Sequence, residues 1–248
     1  MSMQLHFAGC SDTGRVRDKN QDAYLVTADK GLAVLADGMG GHRSGEIASD
    51  LAVKTVTDYM LSHIDDAADD MQTLMSLGTA VELANQVILR ESLQSPELRG
   101  MGTTIVVTCF RGDRLYYAHV GDSRIYLYQD GKLTPLTKDH SLVQLMVDQG
   151  RFESVDDAVK AGVGSNMLTR GLGVEEQVEV DVSDRLIDRD AIYLLCSDGL
   201  TGMLSEQHIA EIISKNTTDL DAAVEVLIAE SLHAGGFDNV TAVLLSVK

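Results

Sequence analysis

Apolar residues follow two rhythms along this chain, and the changes of rhythm mark out strands and helices. Residues 22–29 and 32–36 read as a strand pair turning at Asp29-Lys30-Gly31. Leu32 to Ala36 is a continuous apolar run, as expected of a strand buried on both faces. From Ser44 to about Ser62 the rhythm becomes helical, with Ile47, Ala48, Leu51, Ala52, Val56, Tyr59 and Met60 on one face. A second long helix is predicted over 70–94, with Leu74, Leu77, Val81, Ala84 and Ile88 on its inner stripe. Asp69 and Asp70 at its start suit the helix dipole.

Residues 102–137 then read as an antiparallel meander. Thr104–Phe110, Leu115–Val120 and Ser123–Tyr128 are its strands, and Gly112-Asp113 and Asp130-Gly131 its turns. Residues 141–176 lose strong periodicity and read as an insertion or flap. Ala191 to Cys196 is another buried strand. Helices follow at about 205–214 and 219–233, the second with Leu220, Ala223, Val224, Leu227 and Ile228 inward, and Val240 to Val247 is a last strand. Runs of strands with paired helices, and no βαβ alternation, argue an α+β fold. Two antiparallel sheets, each covered by a helix pair, would use every element; periodicity alone leaves that topology open.

Composition narrows the function. The 248 residues are 44% hydrophobic and 23% charged, as in globular proteins, which excludes intrinsic disorder. No apolar run approaches the length of a membrane span, and the first residues read as no secretory signal. The net charge of −18, without any Lys/Arg run, argues against nucleic acid and against an anionic membrane surface as partners. Three scattered cysteines, Cys10, Cys109 and Cys196, read as buried thiols of a reducing cytoplasm. None has a basic neighbour cluster that would make a reactive thiolate.

Candidate chemistry comes from aspartates set beside glycine where strands stop: Asp37-Gly38, Gly121-Asp122 and Asp198-Gly199. Asp238 follows Gly235-Gly236 just before the last strand, and Asp22 follows Arg17 and Asn20 just before the first strand pair. Carboxylates gathered from several strand ends form an oxygen-only cage suited to Mg²⁺ or Mn²⁺, while the lack of paired His/Cys spacing argues against zinc. A lone Asp-Gly is most often a turn, and Asp130-Gly131 and Gly112-Asp113 are read as turns. Asp37 and Asp198 each end a strongly apolar strand, and spacing alone leaves turn and ligand equally open for them.

The motifs taken together resemble a family. Arg17-x-x-Asn20-Gln21-Asp22 and Val34-Leu35-Ala36-Asp37-Gly38-Met39-Gly40-Gly41-His42 resemble the opening of bacterial metal-dependent protein phosphatases of the type 2C (PPM) class. Gly102-Thr103-Thr104, Val120-Gly121-Asp122-Ser123-Arg124, Asp139-His140-Ser141, Leu168-Thr169-Arg170-Gly171-Leu172-Gly173, Ser197-Asp198-Gly199-Leu200 and Asp238-Asn239-Val240-Thr241 continue the likeness in order. It extends from about residue 7 to 247.

The resemblance implies one phosphatase domain over residues 1–248, with a flap subdomain at about 140–176. It implies a central β-sandwich flanked by helix pairs, in α-β-β-α layers. A binuclear Mn²⁺ or Mg²⁺ centre would use Asp37 as bridging ligand, the carbonyl of Gly38, Asp198 and Asp238. Asp22 would act through bound water, and Asp122 with Asp198 would hold a weaker third ion. A metal-activated water would attack phosphoserine or phosphothreonine, Arg17 would clamp the phosphate, and His42 would be the general acid. In larger relatives the histidine directly follows the Asp-Gly pair, whereas here Met39-Gly40-Gly41 intervene. The flap carries Ala161-Gly162-Val163-Gly164-Ser165-Asn166 where many relatives have His-Pro, so a mobile loop that sets substrate choice is expected there.

The expected enzyme is thus a monomeric, cytoplasmic serine/threonine phosphatase that acts on phosphorylated proteins and opposes a serine/threonine kinase. Three alternatives share the fold: a dedicated regulator phosphatase, which would usually carry a sensor domain; a catalytically silent, metal-stabilised binding module; and a small-molecule phosphatase.

Overall fold

The computed structural model describes residues 4–40, 44–63, 69–164 and 166–247. Eleven strands and seven α-helices follow one another as β1 (Leu5–Asp12), β2 (Asp22–Thr27), β3 (Leu32–Met39), α1 (Ser44–His63), α2 (Asp70–Gln94), β4 (Gly102–Thr103), β5 (Ile105–Arg111), β6 (Arg114–Val120), β7 (Arg124–Gln129), β8 (Lys132–Pro135), α3 (Leu142–Asp148), α4 (Val155–Lys160), β9 (Asp181–Leu186), β10 (Ile192–Cys196), α5 (Asp198–Thr201), α6 (Glu206–Lys215), α7 (Leu220–His233) and β11 (Val240–Val247). One sheet has the order β1-β11-β10-β7-β8; the other runs β2-β3-β5-β6-β9, with β4 also pairing β3. Neighbouring strands are antiparallel throughout. The expected α-β-β-α layering is what the structure has.

The continuous apolar runs follow from that layering, because each central strand is covered on both faces. Along β10, Ile192, Leu194 and Cys196 face the core with α6 and α7, while Tyr193 and Leu195 face the opposing sheet. Along β3, Leu32, Val34 and Ala36 pack with Ala48, Ala52 and Val56 of α1 and Leu77, Val81 and Ile88 of α2. Ala33 and Leu35 point into the sandwich. The start of α2 is a capping box: Gln72 N–H donates to Asp69 Oδ1 (2.8 Å), and Asp69 N–H donates to Gln72 Oε1 (3.1 Å).

Four strands lie outside the sequence expectation, the two-residue β4 and three others. β1, β8 and β9 are edge strands, half-buried or exposed, so each lacks the apolar run that marks β3 or β10. Asp130-Gly131 and Gly112-Asp113 are hairpin turns as expected, with Asp130 at φ 52° and Gly131 at φ 77° in the first. Asp37-Gly38 is not where its strand stops. β3 continues through both residues to Met39, held by pairing of Gly38 with Thr103 and Met39 with Gly102.

Candidate metal centre

The aspartates singled out in the sequence meet at one end of the sandwich. Asp22 opens β2 directly opposite Asp37 of β3 in the antiparallel register. Asp198 opens α5 just beyond β10, Asp122 sits in the β6–β7 turn, and Asp238 precedes β11. Arg17, Asp37, Gly38, Asp122, Asp198 and Asp238 all line one open cavity of about 1110 Å³. His42 lies outside the described residues.

Glycines allow the elements to approach this closely. A Cβ at Gly199 would lie 1.9 Å from the carbonyl oxygen of Asn239, so only glycine lets Asp198 stand beside Asp238. A Cβ at Gly38 would lie 2.2 Å from the Gly45 carbonyl, which places the start of α1 against the Asp37 strand.

Hydroxyls and amides around the aspartates fix them, and here sequence reading assigned no roles. Thr104 N–H and Thr103 Oγ1 donate to the Asp37 carbonyl (2.9 and 2.8 Å), and Asp37 N–H donates to Thr104 Oγ1 (3.0 Å). The Gly-Thr-Thr motif thus clamps the Asp37 backbone. Asn239 ties down the loop that carries Arg17: its Nδ2 donates to the carbonyls of Thr13 and Lys19, and its Oδ1 accepts from Gln21 N–H. Ser197 and Thr241 hydroxyls donate to Asp22 Oδ2 (2.7 and 2.6 Å). Ser197 and Asn239 directly flank motif aspartates, so adjacency marks them in the sequence; Thr103 and Thr104 stand more than fifteen positions from any motif aspartate and carry no such mark.

The electrostatics are those of crowded, under-neutralised carboxylates. Burial first, then the charges of Asp22, Asp198, Asp122 and Asp238, push Asp37 well above the usual carboxylate range. Burial pushes Asp22 to about 6 despite its two hydroxyl donors. Burial and then Asp198 and Asp139 push Asp122 to about 7. Asp198 is also raised, by burial and then Asp238, against a hydrogen bond with Asp37 and the pull of Arg17 and Arg124. Arg17 Nη2 donates to Asp238 Oδ2 at 2.7 Å. Asp22 Oδ1 is buried with no hydrogen-bond donor among the described residues. A buried unpartnered acceptor among carboxylates driven towards protonation is what a site for hard cations looks like before they bind. Its described lining offers oxygen ligands and no histidine or cysteine.

A second group, His119, His140 and Asp181, holds potential ligand atoms within 4.8 Å of one another. Its chemistry differs. His140 Nδ1 accepts from Gly121 N–H (3.2 Å), so the neutral ring presents an N–H at Nε2, 3.4 Å from Asp181. Arg170 also donates to Asp181 (2.8 Å), and the two rings stack at 4.6 Å. The group is a hydrogen-bonded latch at the base of the 140–176 segment, with Arg124 gripping Asp139 through two bonds beside it. The thiols sit apart from this chemistry: burial pushes Cys109 up to about 11 and Cys196 to about 12, which leaves neither as a thiolate.

The sequence pattern of the family described as Protein phosphatase 2C matches residues 14–233. This chain belongs to the protein phosphatase 2C family. It is 38% identical over 247 residues to the serine/threonine protein phosphatase PstP of Mycobacterium tuberculosis, covering 100% of this chain and 46% of PstP, so it spans about half the length of that relative. It is 36% identical to the serine/threonine phosphatase stp of Listeria monocytogenes, covering 97% of this chain and 95% of stp. Among solved structures, the PstP catalytic domain in complex with two manganese ions superposes with a TM-score of 0.85 at 37% identity, covering 99% of each chain. As a family member the chain shares the layered sandwich of these phosphatases. No described helix is long and apolar enough to cross a membrane.

Proposed function

We propose that this chain is a metal-dependent phosphoprotein phosphatase that hydrolyses phosphoserine and phosphothreonine, using two Mn²⁺ or Mg²⁺ ions and a weaker third. The observation that carries the proposal is the cluster of four aspartates lining one cavity, Asp37, Asp122, Asp198 and Asp238, with Asp22 opposite Asp37 in the strand register and its Oδ1 buried with no partner among the described residues. Asp37, the Gly38 carbonyl, Asp198 and Asp238 would hold the pair of ions, Asp22 would act through water, and Asp122 with Asp198 would hold the third. Two such ions, when bound, acidify a water and clamp phosphoryl oxygens.

The chain's own groups do the rest. Arg17 is 53% exposed at the cavity wall, free to turn its fork of N–H donors onto a phosphate while its other edge stays on Asp238. The raised thiols of Cys109 and Cys196 support a route without a phosphocysteine. His42 is proposed to return a proton to the leaving alkoxide. Residues 140–176 act as a flap within a single domain spanning 1–248, and its Asn166, Leu168, Thr169 and Arg170 supply cavity wall that reads the substrate. The partners are phosphorylated proteins and the serine/threonine kinase that modifies them; the enzyme works as a cytoplasmic monomer.

The test is hydrolysis of phosphothreonine and phosphotyrosine peptides by metal-stripped protein titrated with Mn²⁺ or Mg²⁺. Metal-restored phosphate release that favours phosphothreonine is expected. Metal binding without turnover of any phosphoester would refute the proposal.

A further inference from the structure

Phe237 stands between Gly236 and Asp238 on the loop that leads into β11, and it is 61% exposed. It is the one exposed phenylalanine among the described residues, in a chain with only 4% aromatic residues. Val16, immediately before Arg17, is 62% exposed. Arg17 and Asp238 pair at 2.7 Å and line the cavity, so each apolar side chain is the sequence neighbour of a cavity-wall residue. The two loops are joined at this point: Arg15 N–H donates to the Gly236 carbonyl at 2.7 Å.

The aromatic ring is held in place. Gly235 has φ +143°, and a Cβ there would sit 2.8 Å from Phe237 Cε2 and 3.0 Å from Cζ, so the ring rests against the Gly235 backbone. Asn239, two residues on, donates to the carbonyls of Thr13 and Lys19, which anchors the same loop from its other side. Two exposed apolar side chains on loops joined by that hydrogen bond, in neither core, gain by being covered, since covering removes their area from water. The cavity beside it is open and larger than the usual small-ligand pocket, which favours an occupant that extends past the phosphate.

We propose that Phe237, with Val16, is a specificity-determining contact for the polypeptide bearing the phosphoryl group, and selects an apolar side chain next to the phosphorylated residue. This inference rests on the phosphatase reading of the metal centre. The occupant is a substrate side chain, because Val16 and Phe237 directly flank in sequence Arg17 and Asp238, the paired residues that line the cavity.

The experiment measures kcat/KM, with Mn²⁺, for phosphothreonine peptides that carry Leu or Ser at the positions flanking phosphothreonine. It compares the wild-type protein with Phe237→Ala and Phe237→Leu, and runs p-nitrophenyl phosphate alongside as a substrate with no flanking residues. Wild type is expected to prefer the leucine peptides by roughly 5- to 20-fold, mainly through KM. Phe237→Ala should bring that ratio close to one, and Phe237→Leu should retain most of it. No preference in wild type overturns the inference. So does an equal loss on leucine peptides, serine peptides and p-nitrophenyl phosphate in Phe237→Ala, which would make the ring a support of the loop. A wild-type dimer in sedimentation that Phe237→Ala dissolves would assign the patch to a second copy instead. If wild type turns over none of these substrates, the phosphatase reading itself fails, which is distinct from turnover without preference.

Discussion

The crowding of carboxylates makes a sharp prediction for Asp122→Asn in the metal-free protein. Burial and its neighbours push Asp122 from 3.8 to about 7. Between those values the folded state keeps a proton that the unfolded chain has lost, so this group's contribution to stability falls as pH rises through the window. From pH 5.5 to 8 the loss is about 2 kcal/mol for a group titrating at about 7 in the folded state. Asparagine is uncharged at both values and escapes it. The metal-free variant should therefore gain on wild type by about 2 kcal/mol between pH 5.5 and 8. In a chain of this size that is about 4–8 °C in Tm. His119 and His140, whose burial lowers their pKa values, titrate in the opposite sense, but both proteins contain them and they cancel in the difference. Calorimetry of chelator-stripped wild type and variant at the two pH values is the assay. Saturating Mn²⁺ should reverse the ranking at pH 8, because wild type then has one more ligand. A Tm difference that stays constant from pH 5.5 to 8 without metal would refute the reasoning.

Three further outcomes are expected. Asp37→Asn should abolish phosphopeptide hydrolysis while circular dichroism and the metal-free melt remain those of a folded protein; retained turnover would remove Asp37 from the mechanism. Gly199→Ala, whose Cβ would meet the Asn239 carbonyl at 1.9 Å, should lower stability in urea by at least about 3 kcal/mol and weaken Mn²⁺ binding, because Asp198 and Asp238 are forced apart. Unchanged stability would show that the loop yields freely. Thr104→Val removes the acceptor for Asp37 N–H and should cost about 1–3 kcal/mol, with a raised Mn²⁺ requirement read by isothermal titration; an unaltered Mn²⁺ isotherm would show that the clamp does not position Asp37.

Much of the framework could be read from residue order. The helix predicted over 70–94 is α2, because a capping pair at Asp69 and Gln72 and a regular stripe from Leu77 to Ile88 both mark it locally. The turns at Gly112-Asp113 and Asp130-Gly131 were legible for a similar reason: positive φ at Gly112, Asp130 and Gly131 is a local demand that those residue types meet. β9 was not legible. Its sequence, Asp181 to Leu186, is polar, and it forms a strand because β6 offers an open edge. Nor could the sequence show that Asp37 lies inside a strand, since the partner that prolongs β3 is a two-residue strand more than sixty positions away.

The sequence by itself determined most of the strands and helices and the chemistry on offer. Period-two and helical runs assign buried faces, and the motif aspartates with their glycines, read together, name a family of metal-dependent phosphatases. The tertiary structure decided which of these groups meet. Asp22 is held by Ser197 and Thr241, 175 and 219 residues distant in the chain. Asp198 reaches Asp238 only because Gly199 packs on the Asn239 backbone. The physical reason is that periodicity and turn preference act between near neighbours. The pKa of a carboxylate, the orphaned oxygen on Asp22 and the exposure of Phe237 depend instead on everything the fold brings around them.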